Sequence, residues 1–297
     1  PAAQYAWSTI TDQLPGLDDA RMQKWVRLID QRFGITIPPE RRSFMMNGLR
    51  ACIRETDATD YDGYYRLLTT GPEWSRAWSK LMDRLTVHET SFFRHAPSLQ
   101  LLTTDILPGF LARNSGSSRG FHAWSLGCST GEEPYSLAIL VDEYLRRNQG
   151  QVPFGITATD ISQPALDVGR RGVYRGRGLN AVPVSLRDRY FRRVDDAAYE
   201  IVDHLRCRVC FSRVNVMQLA RLPLRDLDLI YCQNMLIYFS RERRLQLLQD
   251  LAERLTPGGA LVLGPGDMPC WSHPQFERIR FEGTLAYRRC SAAAGNV

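Results

Sequence analysis

The sequence has few cysteines, almost no lysine and no long hydrophobic run, and the first and last of these shortages argue against particular classes of protein. Seven cysteines in 297 residues are an odd number in a long chain, which disfavours a disulfide framework and favours a reducing compartment. No run of about 18 apolar residues occurs, and the first 13 residues lack the basic and apolar regions of a secretory signal. We therefore expect a cytoplasmic protein without direct membrane insertion.

Lysine is nearly absent, so arginine carries the positive charge. Lys24 and Lys80 are the two lysines among 38 basic residues, which exceed the 32 acidic residues and give a net charge of +6. Residues 21–54 alone hold eight basic and two acidic residues. This local excess predicts an acidic partner, although an ordinary solvated helical surface is the alternative.

The hydrophobic pattern divides the chain into parts. Apolar residues recur at helical spacing over residues 1–85, which predicts an N-terminal all-helical domain. Residues 86–119 are interpreted as a linker and lid segment. From residue 120 to 297 strands alternate with helices, which predicts an α/β domain with a doubly wound parallel sheet. Its predicted strands cover 121–126, 154–161, 209–215, 227–234 and 259–266, and two of its predicted helices cover 132–147 and 241–255.

Two segments interrupt this alternation. Between residues 172 and 211 the pattern predicts a helix and then antiparallel strands, which we interpret as an inserted β subdomain at about 186–211. Such an insertion is a candidate recognition device, and a structural embellishment is the alternative. Cys207 and Cys210 form a CxxC motif within a strand-like stretch. Because no second cysteine pair or histidine pair completes a zinc set, we expect structural thiols and no metal site.

The segment GCSTGEEPYS (127–136) follows one predicted strand and opens a helix. Gly127 and Gly131 allow backbone conformations that a side chain forbids, and they leave room for a ligand. Glu132 and Glu133 stand where a diphosphate would bind, and the spacing is GxxxG rather than GxGxxG, so a dinucleotide is disfavoured. S-adenosylmethionine (SAM) fits better, because its sulfonium and ammonium groups are complementary to carboxylates. Favourable charge at a helix N-terminus is the alternative interpretation.

Further polar residues follow other predicted strands. Asp160 ends the second strand, where a carboxylate can accept hydrogen bonds from both ribose hydroxyls. Asn215 and Asn234 end two later strands, and asparagine in such places is otherwise a common turn residue. The segment TVHETSFFR (86–94) carries polar residues at His88, Thr90 and Arg94, and we expect this connecting stretch to cross the ligand crevice.

The motifs TVHETSFFR, WSLGCSTGEEPYSLA, ATDIS, SRVN and CQNMLIYF occur in this order, and over residues 20–290 the chain resembles the CheR-type chemotaxis receptor methyltransferases. The resemblance implies a Rossmann-like SAM-dependent sheet with a helical domain and an inserted β subdomain. It implies methylation of receptor glutamates to γ-methyl esters, with S-adenosylhomocysteine as product. It also implies that the basic helices of 21–54 contact the cytoplasmic helical bundle of a methyl-accepting receptor. Within the family, the branch of type IV pilus chemosensory systems (PilK-like), which serves twitching motility, is favoured.

By motif position the resemblance implies a set of cofactor-binding residues and two residues with catalytic roles. The cofactor-binding set is His88, Thr90, Arg94, Gly127, Glu133, Asp160, Asn215, Val216, Gln233 and Asn234. Arg94 and Tyr238 are the implied catalytic residues.

The chain departs from the family pattern in four places. His88 stands where the family usually has Asn, and Gln233 stands where it has Arg. The segment GPGD (264–267) replaces GHSE, and the turn VDDAAYE (194–200) lacks glycines. Because members of the family that bind the receptor's tail peptide have glycines in this turn, the turn of 194–200 predicts receptor recognition that does not depend on the tail peptide.

Two other functions compete. A non-catalytic SAM-binding protein that docks on receptors is one, and the departures at His88 and Gln233 keep it open. A nucleic-acid methyltransferase is the other, given an isoelectric point near 9.1. However, NMLIYF (234–239) lacks the Pro-Pro-aromatic loop of many amino-group methylases, and no aromatic residues of a flipped-base site accompany the basic excess.

Overall fold

The computed structural model describes residues 14–71, 74–148 and 152–290. They form two compact units, residues 14–87 with 161–163, and residues 88–160 with 164–290. The first 13 residues of the predicted helical domain and the last seven residues of the chain lie outside the described residues. In the part that the structure describes, no helix combines the length and apolar character that a membrane crossing requires.

The first unit is all-helical, as predicted. Its helices are Asp19–Phe33, Arg42–Arg54, Tyr61–Thr70 and Trp74–Leu85. The Asp18 and Asp60 carboxylates accept hydrogen bonds from the N–H groups of Arg21 and Gly63, so each caps a helix N-terminus. One apolar face of each helix packs into a shared core. The core includes Trp25, Ile29, Phe33, Met45, Leu49, Ile53, Tyr64, Leu81 and Met82, all buried.

The second unit is built on a seven-stranded sheet within the described residues, in the order β6-β2-β1-β7-β8-β10-β9. Strands β1 and β2 and strands β6 to β8 run parallel, while β10 pairs antiparallel with β8 and β9. This confirms the predicted α/β class. The strands of this sheet are β1 Phe121–Leu126, β2 Phe154–Asp160, β6 Val209–Arg213, β7 Leu227–Cys232, β8 Leu255–Leu263, β9 Phe276–Ile279 and β10 Leu285–Arg289.

The helices of this unit cover the sheet or connect its strands. The helix Glu132–Arg147 buries Leu137, Ile139 and Val141 in the core. The others are Ala96–Leu101, Leu107–Arg113, Gln163–Arg171, Val184–Tyr190, Asp203–Arg206 and Arg241–Ala252.

A second sheet of three antiparallel strands contains β3 Val173–Arg175, β4 Phe191–Arg193 and β5 Ala198–Ile201, with β5 in the middle. The predicted bounds of 186–211 need correction at both ends. Val173–Arg175 joins the small sheet from outside that range, whereas Val209–Arg213 pairs in parallel with β2 in the main sheet. Strand pairing across distant residues decides this, and local alternation does not reveal it.

The predicted linker and lid over 86–119 also needs correction. Residues 96–113 form a helical run with a wider turn at Leu102–Ile106. Leu101, Leu107 and Phe110 are buried in the same core as the main sheet. Most of this segment is therefore part of the domain rather than a connection to it.

Two further boundaries differ from the predictions. The helix predicted over 241–255 ends at Ala252, and Leu255 begins β8 instead of belonging to the helix's apolar stripe. Cys207 follows the short helix Asp203–Arg206, and both Cys207 and Cys210 are exposed. Neither thiol is packed in the core, and their interpretation as structural thiols rather than zinc ligands stays a prediction.

Candidate active site

The carboxyl ends of four neighbouring parallel strands hold the predicted site. In the sheet these strands stand in the order β6, β2, β1, β7. Gly127 follows β1, Asp160 ends β2, Asn215 follows β6, and Gln233 follows β7. The chain runs from β1 outward to β2 and β6, and then crosses back to place β7 on the other side of β1. Ligands of open α/β sheets bind at such a switch point.

The loop after β1 has a backbone that depends on glycine. Gly127 and Gly131 have φ angles of 79° and 97°, and Ser129 between them also has a positive φ of 49°. The N–H of Gly127 donates to the Thr159 carbonyl at 2.8 Å, which ties the loop to the end of β2. A Cβ on Gly127 would lie 2.9 Å from Cγ of Met235, so this close approach of the two loops excludes a side chain.

Asp160 connects β2 to the glycine loop. Its Oδ2 accepts a hydrogen bond from the Ser129 N–H at 2.8 Å. This bond holds Ser129 in its left-handed conformation and fixes the carboxylate beside the loop. The carboxylate predicted to bind ribose thus also supports the backbone of the glycine loop.

The two neighbouring glutamates of the motif separate. The Ser125 hydroxyl on β1 donates to Oε1 of Glu133 at 2.7 Å. Thr130 instead donates to Oε2 of Glu132 at 2.6 Å, so the loop itself uses the Glu132 carboxylate. Consecutive helical residues point about 100° apart, which explains the separation.

The titration of these two glutamates follows from their surroundings. Burial raises the pKa of Glu133 to about 8, although the Ser125 hydrogen bond and the positive charge of Arg94 lower it. Burial also raises the pKa of Glu132, and the Thr130 hydroxyl opposes this effect. Glu133 is therefore poised to ionise when a cation arrives.

The segment around Phe93 lies against the start of the next helix. Phe92 is fully buried and packs edge-on to Tyr174 and Phe191. The N–H of Phe93 donates to the Ser136 hydroxyl at 3.0 Å, and Phe93 has a φ of 55°. A bulky residue in this conformation is strained, and such strain is concentrated at functional sites.

His88, Thr90 and Arg94 lie along this anchored segment. The His88 carbonyl accepts a hydrogen bond from the Ser129 hydroxyl at 3.5 Å. Thr90 is half-buried, and the exposed Arg94 donates to the Glu89 carbonyl at 2.6 Å. The structure therefore brings the His88 backbone and the Arg94 charge to the glycine loop and Glu133.

The residues after β6 form a capped turn. The Asn215 side chain accepts a hydrogen bond from the Met217 N–H at 3.0 Å and caps the 3-10 turn Val216–Arg221. Val216 begins this turn and is half-buried. The role of turn residue, which was the alternative for Asn215, is thus observed alongside its position at the sheet edge.

The residues Gln233–Phe239, here named the β7 loop, contain the last three predicted site residues. Gln233 Nε2 donates to the Leu263 carbonyl at 3.0 Å, and its buried Oε1 has no hydrogen-bond partner among the described residues. Asn234 is exposed with a φ of 57°. Tyr238 is half-buried at the end of the turn Leu236–Tyr238.

Three residues at this edge have contacts that sequence reasoning did not assign. Ser125 holds Glu133, and Asp267 and Arg244 hold the β7 loop. Asp267 belongs to the GPGD segment, which was noted as a departure but given no role. The available signal in the sequence was an acidic residue directly after the predicted strand of 259–266.

The carboxylates at this edge of the sheet fit a cationic nucleoside rather than a diphosphate. Two carboxylates lie beside the glycine loop: Glu133 accepts a hydrogen bond from Ser125 just before the loop, and Asp160 accepts one from Ser129 within it. A parallel sheet that presents carboxylates at the edge where ligands bind indicates the class of SAM-dependent methyltransferases.

Comparison with known proteins extends this result. The model of the CheR methyltransferase all-alpha domain matches residues 20–86, and that of the CheR methyltransferase SAM-binding domain matches residues 88–280. The chain therefore belongs to the CheR methyltransferase family. The expected cofactor, SAM, and the resemblance seen in the motifs are confirmed.

Curated relatives extend over most of the chain. Chemotaxis protein methyltransferase 2 of Vibrio cholerae is 30% identical over 86% of this chain and 88% of its own length. Chemotaxis protein methyltransferase 1 of Pseudomonas aeruginosa is 35% identical over 70% of this chain and 76% of its own. The chemotaxis protein methyltransferase of Escherichia coli is 30% identical over 94% and 93%.

Proposed function

We propose that this enzyme transfers the methyl group of SAM to glutamate side chains of methyl-accepting chemoreceptors and forms γ-methyl esters. The observation that carries the proposal is the pair of carboxylates, Glu133 and Asp160, that flank the glycine loop in a chain of this family. The names of its relatives support a role in chemotaxis. Action on receptors from the cytoplasmic side is part of the proposal, and the pilus branch stays a prediction.

The residues at the sheet edge divide the binding work. Glu133 accepts a hydrogen bond from the ammonium group at the methionine end of SAM, and Asp160 accepts hydrogen bonds from the ribose hydroxyls. Asn215, Val216, Gln233 and Asn234 surround the adenine, while His88 and Thr90 line the ligand beside the loop of Gly127. Bound SAM supplies a methyl group activated by the positively charged sulfur.

The chemistry needs no general base. A glutamate with a pKa of about 4.3 is already ionised at neutral pH. The acceptor oxygen would take the methyl group directly, and the electron pair of the broken carbon–sulfur bond would stay with sulfur. Arg94 and Tyr238 orient the incoming carboxylate. Alignment of this kind can supply roughly 7–11 kcal/mol, and a dry site favours a transition state in which charge is neutralised.

Receptor recognition falls to the basic surface of the helical unit. Arg21, Lys24, Arg27, Arg32 and Arg54 are exposed there. These cations are complementary to an acidic helical bundle and would raise its association rate. Recognition without the receptor tail remains part of the proposal, since the turn 194–200 has no glycine.

A labelled-methyl assay tests the function. Receptor-containing membranes are incubated with the protein and SAM labelled in the methyl group, and the label is expected in receptor bands and to be released as methanol by mild alkali. Receptors with glutamine at the acceptor positions are the control. Label that resists alkali or enters nucleic acid, or SAM binding without any transfer, would contradict the proposal.

A further inference from the structure

Asp267 lies behind the β7 loop and holds it by its backbone. The residue is fully buried. Its Oδ2 accepts hydrogen bonds from the N–H groups of Gly264 at 2.7 Å and Asn234 at 3.1 Å, and its Oδ1 accepts one from Ile237 at 3.2 Å. A buried carboxylate with several N–H donors forms strong, charge-assisted bonds. Asp267 thus connects the end of β8 to two points of the β7 loop.

The fit around this carboxylate is tight. A Cβ on Gly264 would lie 2.6 Å from Oδ2 of Asp267 and 2.8 Å from the Asn234 nitrogen. Glycine at 264 therefore lets the carboxylate and the loop approach each other. Asn234, at the contact, has the left-handed φ of 57°, a conformation that needs support from its surroundings.

Arg244 holds the same loop through its carbonyl groups. Its Nε donates to the Phe239 carbonyl at 2.8 Å and its Nη2 to the Ile237 carbonyl at 3.1 Å. Its Nη1 donates to the Asp267 carbonyl at 3.1 Å. The N–H groups of the β7 loop thus donate to the Asp267 carboxylate, and its carbonyl groups accept from the Arg244 guanidinium. These two side chains of opposite charge stabilise one conformation of the loop.

We propose that Asp267 is a positioning residue for methyl transfer: it sets the β7 loop and thereby places Gln233, Asn234 and Tyr238 for the ligand and the methyl acceptor. The inference rests on the proposed function and deepens it, because Asp267 acts through the loop. An amide at this position has one acceptor oxygen, and its NH2 group faces backbone donors. Burial raises the pKa of Asp267, and the hydrogen bonds from these backbone N–H groups oppose that shift.

The test compares Asp267→Asn with Asp267→Glu, which keeps the acceptor oxygens, and with the exposed control Asp226→Asn. In Asp267→Asn, affinity for S-adenosylhomocysteine is expected to fall roughly tenfold or more by calorimetry. The amides of residues 233–239 should exchange hydrogen faster, kcat should fall, and the KM for receptor should stay unchanged. Asp267→Glu is expected to recover part of the affinity, and Asp226→Asn all of it.

Arg244→Gln provides a second variant should Asp267→Asn not fold, and it is expected to show the same faster exchange of the loop and the same loss of affinity. Wild-type affinity and wild-type loop exchange in both variants would overturn the inference. Because the affinity and exchange measurements need no receptor, they decide the role of Asp267 even if glutamate methylation itself were not found.

Discussion

At the scale of single residues, Glu133 links ligand binding to pH. Burial raises its pKa to about 8, so the proposed contact of Glu133 with the ligand's ammonium group requires that Glu133 lose its proton on binding at neutral pH. Binding of S-adenosylhomocysteine at about pH 6.5 is expected to release close to one proton, because Glu133 ionises on binding. Calorimetry in buffers of different ionisation enthalpy measures the number of protons released on binding. Glu133→Gln should bind more weakly and release none, whereas Glu253→Gln at an exposed position should match the wild type.

The same shift affects the stability of the ligand-free protein. The pKa of Glu133 in the folded protein, about 8, lies above its value of 4.5 in the unfolded chain. Between pH 4.5 and about pH 8 the folded state therefore binds one more proton than the unfolded state. The contribution of Glu133 is therefore fully present below about pH 4.5 and is lost as the pH rises through about 8. Glu133→Gln should show a smaller decline of stability over this range, and an unchanged decline would contradict the assignment.

Arg94 is the residue for which activity and stability are expected to separate. Its side chain is exposed, and its charge acts on Glu133. Arg94→Ala should reduce kcat/KM about tenfold to a hundredfold, as expected for a lost charged hydrogen bond. The free energy of unfolding should change by less than about 0.5 kcal/mol, as for most surface substitutions. Arg146→Ala is the exposed control in the same unit, and equal activity of the two variants would remove Arg94 from the mechanism.

At the scale of elements, Gly131 is the point where the glycine loop becomes a helix. Its φ is 97°, and a Cβ there would lie 2.9 Å from the Tyr174 hydroxyl and 3.0 Å from Cα of Gly169. Gly131→Ala should therefore cost the left-handed penalty of about 1 kcal/mol and a further 1–3 kcal/mol of overpacking, roughly. Gly176→Ala is the matched control, since its φ is 59° but no atom lies within 4 Å of the added Cβ.

Denaturant unfolding of both variants separates strain from crowding. The Gly131 variant should also bind S-adenosylhomocysteine more weakly, because the loop and the first turn of the helix carry Ser129 and Glu133. Equal losses of stability in the two variants would mean that the crowding at Gly131 relaxes without cost.

At the scale of the whole molecule, the charge of the helical unit should govern the interaction with receptors. Arg27 and Arg54 are exposed on two different helices of that unit. Arg27→Glu with Arg54→Glu is expected to raise the KM for receptor several-fold at low salt and less at high salt, because exposed charges are screened. Affinity for S-adenosylhomocysteine should not change. Arg146→Glu with Arg147→Glu is the control for net charge, and an equal effect of both pairs would argue against a specific surface.

Helices and strands whose bounds are set by neighbouring residues in the sequence were predicted correctly. The helix Glu132–Arg147 has the predicted bounds because a glycine precedes it and its apolar spacing is continuous. The strand Phe121–Leu126 also has the predicted bounds, because its apolar run ends at Gly127. The helical run over 96–113 was missed, since its short segments are joined by a wider turn and contain prolines at helix starts.

By itself the sequence determined the helical first unit, the alternation of strands and helices in the second, the glycine loop, and the polar residues at the strand ends, because periodicity and turn chemistry act over a few residues. Only the tertiary structure decided which strands are neighbours, which of the two adjacent glutamates faces Ser125, and that Asp267 supports Asn234 from 33 positions away. These outcomes depend on hydrogen bonds and close packing between segments far apart in the chain, and no local pattern records which distant partners will meet.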